Sequence, residues 1–143
     1  MVVKQISVFL ENKCGRLIRA AETLGNNQIN IRALSIADTS DFGILRLIVD
    51  KTEAALSLLK EEGFIASETE VIAVQVPDTP GGLARVLQCL EKDLINIEYL
   101  YSFIEKPQED ALILIRVEDI PHALQVLKDN NIPTVDRVPG TEN

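Results

Sequence analysis

Asn12-Lys13-Cys14-Gly15-Arg16-Leu17-Ile18-Arg19 returns, at an offset of 66, as Asp78-Thr79-Pro80-Gly81-Gly82-Leu83-Ala84-Arg85. At the same offset Ile29-Asn30-Ile31 returns as Ile95-Asn96-Ile97. Further along the offset becomes 68: Val49-Asp50 meets Val117-Glu118, and Leu56, Leu59 and Lys60 meet Leu124, Leu127 and Lys128. One such match could arise by chance. Several in the same order, with one small insertion, indicate a duplication, which decides the fold before any local reading.

Each copy reads the same way. Ile6, Val8 and Leu10 alternate with Gln5, Ser7 and Phe9, and Ile72, Val74 and Val76 alternate with Ala73 and Gln75. Both are strands with one strongly apolar face. A Gly-containing turn follows, then helical spacing: Leu17, Ala20, Ala21 and Leu24 in one copy, Leu83, Val86, Leu87 and Leu90 in the other. Gly25-Asn26-Asn27 is read as the end of the first helix. Second strands are expected over Asn30–Ala37 and Asn96–Phe103, and third strands near Phe42–Val49 and Ala111–Val117. The loops between them are Asp38–Asp41 and the longer Glu105–Glu109, which explains the change of offset. Second helices are expected near Thr52–Glu62 and Pro121–Asn130, with Asp50 and Glu118 just ahead of them and Pro121 in a first turn. Short last strands are expected around Phe64–Thr69 and Thr134–Val138.

The order strand-helix-strand-strand-helix-strand is the split βαβ, ferredoxin-like arrangement. The fold class is therefore α+β: two tandem βαββαβ modules, each an antiparallel sheet with both helices on one face. The other face should be less apolar, or covered. Phe64 to Val76 contains neither Gly nor Pro, so the modules, set at residues 1–68 and 69–143, are joined almost without a linker. Modules of about 70 residues bury a modest fraction of their surface. They are expected to pack side by side, and against a second chain.

Composition excludes several function classes. The 143 residues are 46% hydrophobic and 4% aromatic with no Trp, so the core must be Val, Ile, Leu and Ala. A net charge of -8 without a local Lys/Arg cluster repels nucleic acid and anionic membranes. Cys14 and Cys89 make neither a disulfide framework nor a zinc site, and suit a reducing cytosol. Met1-Val2-Val3-Lys4-Gln5 turns polar too early for a signal peptide, and no apolar run approaches the roughly 20 residues of a membrane span. A cytoplasmic protein is expected.

Catalytic patterns are missing. His122 is the single histidine and reads as a surface or packing residue. Gly81-Gly82 belongs to no phosphate-binding motif, and there is no G-x-S-x-G. Glu61-Glu62 and Glu109-Asp110 read as solvated charge. Cys14, beside Gly15 at a helix start, is placed where a thiolate is stabilised, yet no base accompanies it. No enzyme, cofactor or metal site is expected. What occurs twice is a strand ending in a polar turn with Gly at a helix start. Open backbone N–H groups there suit a carboxylate, and an Asn side chain can both donate and accept. Together these meet the needs of a zwitterionic amino acid. The plainer reading is that Asn12 and Asp78 cap helices or shape turns and that the glycines relieve steric strain. Spacing alone favours the plainer one.

The pattern Asp/Asn-x-Pro-Gly-x-Leu, followed after the helix by Ile-Asn-Ile, resembles the ACT domain family. Asp78-Thr79-Pro80-Gly81-Gly82-Leu83 with Ile95-Asn96-Ile97 matches closely, and Asn12-Lys13-Cys14-Gly15-Arg16-Leu17 with Ile29-Asn30-Ile31 matches with Cys14 in place of Pro. The resemblance covers nearly the whole chain and looks like a stand-alone tandem ACT protein. It implies a regulatory, allosteric module that binds a free amino acid where ACT modules pair, expected as a homodimer that controls a metabolic enzyme. It implies ligand contacts at Asn12, Cys14, Gly15, Arg16, Leu17, Asn30 and Ile31, and at Asp78, Gly81, Gly82, Leu83, Asn96 and Ile97. Main chain around the glycines would hold the carboxylate, and Asp78, unable to donate when ionised, would favour the ammonium. Tyr99 and Tyr101 share one strand face, as interface packing or as a pocket wall. Two other functions compete: an interaction subunit that controls an enzyme of amino-acid metabolism without a strong ligand requirement, and a small enzyme of ferredoxin-like fold.

Overall fold

The computed structural model describes residues 2–38, 41–103 and 110–141. The first copy comprises β1 (Val3–Glu11), α1 (Arg16–Gly25), β2 (Ile31–Asp38), β3 (Phe42–Val49), α2 (Thr52–Glu61) and the first part of β4 (Ile65–Pro77). The second comprises the rest of β4, then α3 (Gly82–Lys92), β5 (Ile97–Ser102), β6 (Asp110–Val117), α4 (Ile120–Asp129) and β7 (Thr134–Val135). Strand order is β2-β3-β1-β4 in the first and β5-β6-β4-β7 in the second. These are the same order in sequence terms, with antiparallel ladders at β1·β3, β2·β3, β4·β6, β5·β6 and β4·β7. Both copies are therefore ferredoxin-like βαββαβ modules. The compact units are built on Lys4–Thr69 and Glu70–Val138.

Each core lies between its helices and one sheet face. In the first module Ile6, Val8 and Leu10 meet Ala20 and Leu24 of α1 and Ala55 and Leu59 of α2. In the second, Ile72, Val74 and Val76 meet Val86, Leu90, Ala123 and Leu127. The left-handed backbone positions repeat as well. Gln28 and Leu94 turn the chain after the first helix of each module, at φ 61 and 57, and Gly63 and Asn131 do so after the second, at φ 89 and 57. Ile29 N donates to Leu24 O and Ile95 N to Leu90 O, both at 3.0 Å, closing the helix ends as such residues commonly do. Arg19 Nη2 donates to Glu62 O, and Arg85 Nη2 to Asn130 O at 3.3 Å. The guanidinium of the first helix thus satisfies a carbonyl at the end of the second, where the helix leaves acceptors unpaired.

Several local expectations are corrected. Gly25 is the last residue of α1 rather than its left-handed terminator, a role that falls to Gln28. β4 is one continuous strand of 13 residues where two strands meeting at an unseen boundary were expected. β7 has two residues, short of the expected Thr134–Val138. α2, with Asp50 just ahead of it, has no side-chain cap, and α4 is capped by Asp119, next after Glu118; the Asp119 side chain accepts from His122 N at 3.1 Å. Gln5, read as an outward polar position, is fully buried. Its Nε2 donates to Ser7 Oγ at 3.0 Å, and Ser7 Oγ meets Thr69 Oγ1 at 3.0 Å, joining β1 to β4 on the face away from the helices. Ala33, Ile48, Ala73, Leu112 and Leu114, on those opposite faces, are also buried. The loop expected at Glu105–Glu109 lies outside the described residues.

Candidate ligand-binding site

The two turns follow one hydrogen-bond scheme. Lys13 N donates to Glu11 O at 2.8 Å and Thr79 N to Pro77 O at 2.9 Å; Arg16 N donates to Lys13 O at 3.3 Å and Gly82 N to Thr79 O at 3.0 Å. Gly15 and Gly81 then stand at the helix N-cap with φ 93 and 87, a left-handed conformation open mainly to glycine. The first intrahelical bonds are Arg19 N to Gly15 O at 3.1 Å and Arg85 N to Gly81 O at 3.0 Å. The amides of Leu17 and Ile18, and of Leu83 and Ala84, therefore face their turns without an intrahelical acceptor. The N-cap glycines bring no side chain to them, and neither helix has an acidic residue in its first turn. The positive end of each helix dipole thus faces its turn.

Around the first turn the expected residues divide between two hollows. Gly15, Leu17 and Ile31 line a hollow of about 480 Å³ between α1 and the sheet. Asn12, Arg16 and Leu17 line a smaller one of about 160 Å³ beside Ile36 and Phe42. Leu17 is common to both. Asn12 N donates to Asp41 O at 2.9 Å, tying the turn to the start of β3. Cys14 is exposed and lines neither hollow. Asn30 is also outside them, with its main chain clamped: its N–H donates to Asp50 Oδ1 at 2.9 Å and its O accepts from Asp50 N at 3.1 Å. Glu11 bridges the turn, Oε2 to Lys13 Nζ at 2.9 Å and Oε1 to Arg16 Nη2 at 3.5 Å. The hydrogen bond from Lys13, followed by the charges of Lys13 and Arg16, holds the Glu11 carboxyl below its ordinary pKa. In the second turn Asp78 and Asn96 are exposed and Ile97 packs on the core. Gly82 is sterically required: a Cβ there would lie 2.1 Å from Pro77 O.

A family model described as an ACT domain pair matches residues 1–138. The chain belongs to the ACT domain pair family. It is similar to protein BT0572 from Bacteroides thetaiotaomicron, at 41% identity and TM-score 0.88 over 94% of this chain and 92% of that one. Regulatory subunits of aspartate kinase share the fold. That of Thermus thermophilus, in ligand-free form, has 19% identity, TM-score 0.60 and coverage of 88% and 91%. That of Thermus flavus has 18% identity, TM-score 0.61 and coverage of 88% and 90%. No curated protein matches.

In this ACT pair the sequence reading did not single out the rest of the larger hollow's wall. Ile18, Ala20, Ala21, Leu34, Leu45 and Leu47 complete the wall of the larger hollow. The signal was present in the repeat, because Val86 and Leu87 stand where the first copy has Ala20 and Ala21. The bond by which Asp50 fixes the Asn30 main chain was not read from the sequence either. Tyr99 and Tyr101 stack with centroids 6.5 Å apart. Tyr101 pairs with Leu114 across the ladder, on the sheet face opposite the helices, so neither ring walls the helix-side turn at Gly81. His122 is exposed in the first turn of α4. Among the described residues no helix is long and apolar enough to cross a membrane, and no group of His, Cys, Asp or Glu could hold a metal.

Proposed function

We propose that this ACT pair is a regulatory protein that binds a free amino acid at the turn preceding α1, with a second site of different character before α3. The observation that carries the reading is the duplicated left-handed glycine. It turns the amides of Leu17 and Ile18, and of Leu83 and Ala84, toward a polar turn carrying Asn12 or Asp78. The α-carboxylate would lie on those amides, where helix-end charge favours it. The ammonium would take an oxygen of Asn12 or Asn30 in the first site and the Asp78 carboxylate in the second. A second copy of the chain would close over the ligand. Binding would tighten that pairing and so shift a regulated enzyme of amino-acid metabolism, because a ligand shifts an equilibrium by its differential affinity for the two states. The fold shared with proteins described as aspartate kinase regulatory subunits agrees with a regulatory role.

The test is a melting screen against the twenty amino acids. At a hundred times its dissociation constant, the right ligand adds about 2.7 kcal/mol, which raises Tm by roughly 5–10 °C for a chain of this size. A flat response to all twenty would overturn the proposal. Co-purification with an enzyme under that flat response would instead favour an interaction subunit.

A further inference from the structure

From the wall of the larger hollow, and resting on the amino-acid reading above, we infer that the first module selects amino acids with bulky apolar side chains. Leu17 and Gly15 belong both to the turn and to the hollow. A ligand whose carboxylate sits on the Leu17 and Ile18 amides therefore has its side chain next to this space. The volume, about 480 Å³, lies within the roughly 300–1,000 Å³ typical of small-molecule sites. Apart from Gly15, every residue lining it is Leu, Ile or Ala. A branched or aromatic side chain gains there by leaving water. A hydroxyl, carboxylate or ammonium loses its water and finds no side-chain partner.

The repeat explains why the space exists. Ala20 and Ala21 leave room under α1, whereas Val86 and Leu87 fill the equivalent positions of α3. The reverse exchange, Ile18 against Ala84, falls on the exposed rim. Leu34, from the edge strand β2, closes the far side while remaining 42% exposed. The equivalent positions of the second module carry larger side chains, so the apolar preference is assigned to the first module.

The test is titration calorimetry and melting with Leu, Ile, Val, Met and Phe against Ser, Thr, Asp and Lys. The apolar set should bind the wild type at least about tenfold more tightly than the polar set. Ala21→Leu, which writes the second module's residue into the first, should weaken the apolar set about tenfold or more while the unliganded protein still melts cooperatively. Should that variant fail to fold, Leu34→Ser puts a hydroxyl on the wall at a half-exposed position and should narrow the gap between the two sets. A polar amino acid giving the largest response overturns the apolar class and leaves the amino-acid reading standing. Unchanged apolar affinity in both variants also overturns it, because the side chain then lies elsewhere. No response to any amino acid overturns the function proposed above, and this inference with it.

Discussion

The turn before α1 and the turn before α3 trace one backbone path and hold it by different means. The second carries Pro77 and Pro80, where the first carries Glu11 and Cys14. Proline presets φ and removes freedom from the unfolded chain. In the first turn that work passes to Glu11, whose two oxygens reach Lys13 and Arg16. The helix starts differ too: Arg16 stands where the second module has Gly82, against Pro77 O. Identical hydrogen bonds thus coexist with one turn locked covalently and one held by exposed charges. Salt and acid can act on the Glu11 pairs of the first turn, whereas the two prolines that take the places of Glu11 and Cys14 carry no charge.

The largest expected effect comes from crossing the helix starts. Gly82→Ala puts a Cβ 2.1 Å from a backbone oxygen, so strand and helix must part, at a cost of about 3 kcal/mol. Arg16→Gly in the first module should cost about 1 kcal/mol or less, through glycine entropy and an exposed ion pair. Urea midpoints of the two variants measure the contrast; equal losses would mean that the two helix starts are not distinct.

Asp50 supplies the next contrast. It accepts from Asn30 N at 2.9 Å, while its counterpart is Glu118, and among the described residues Asn96 donates no such bond. Asp50→Ala should cost about 1–2 kcal/mol, as loss of a bond to a charged acceptor does, and Glu118→Ala should cost much less. Hydrogen exchange at the Asn30 amide should rise with the first change and stay unaltered with the second.

Leu94 is the reverse case, a site where the second module is strained. It is 92% exposed at φ 57, in the position of Gln28. A left-handed L-residue costs about 1–2 kcal/mol, and glycine returns part of that as entropy. Leu94→Gly should therefore stabilise the protein by roughly 0.5–1 kcal/mol, read as a higher urea midpoint. No apolar burial is lost in the exchange.

Much of this was legible because a duplication gives each local reading a second witness. The alternation Ile6-Val8-Leu10 and the spacing of Leu17, Ala20 and Leu24 would be ordinary patterns singly; their return at a fixed offset made them strands and helices of one topology. What escaped depends on neighbours in space. Gln5 reads as polar and outward, yet Ser7 and Thr69 let it be buried by hydrogen bonding. The continuity of β4 follows from pairing on both sides of the boundary, which no residue in Phe64–Val76 announces. The Asn and Gly positions of the turns were visible, but the wall behind them was not. Ala20 and Ala21 look like unremarkable helix residues until Val86 and Leu87 are set beside them.

The smallest expected effect separates the turns by pH. Glu11 has a lowered folded pKa, from its bond to Lys13 and then from the charges of Lys13 and Arg16. Its contribution is fully present above the pKa of the unfolded chain and is lost as pH falls through the lower folded value. Pro77, at the same place in the second turn, has nothing to titrate. Glu11→Gln should therefore leave a slightly flatter decline of stability through the acidic range below the ordinary carboxylate pKa, and the wild-type excess should shrink as salt is raised. Pro77→Ala should lower stability by a similar amount at every pH. If both variants change the acid limb alike, the first turn is not held by its charges, and the contrast between the two turns fails.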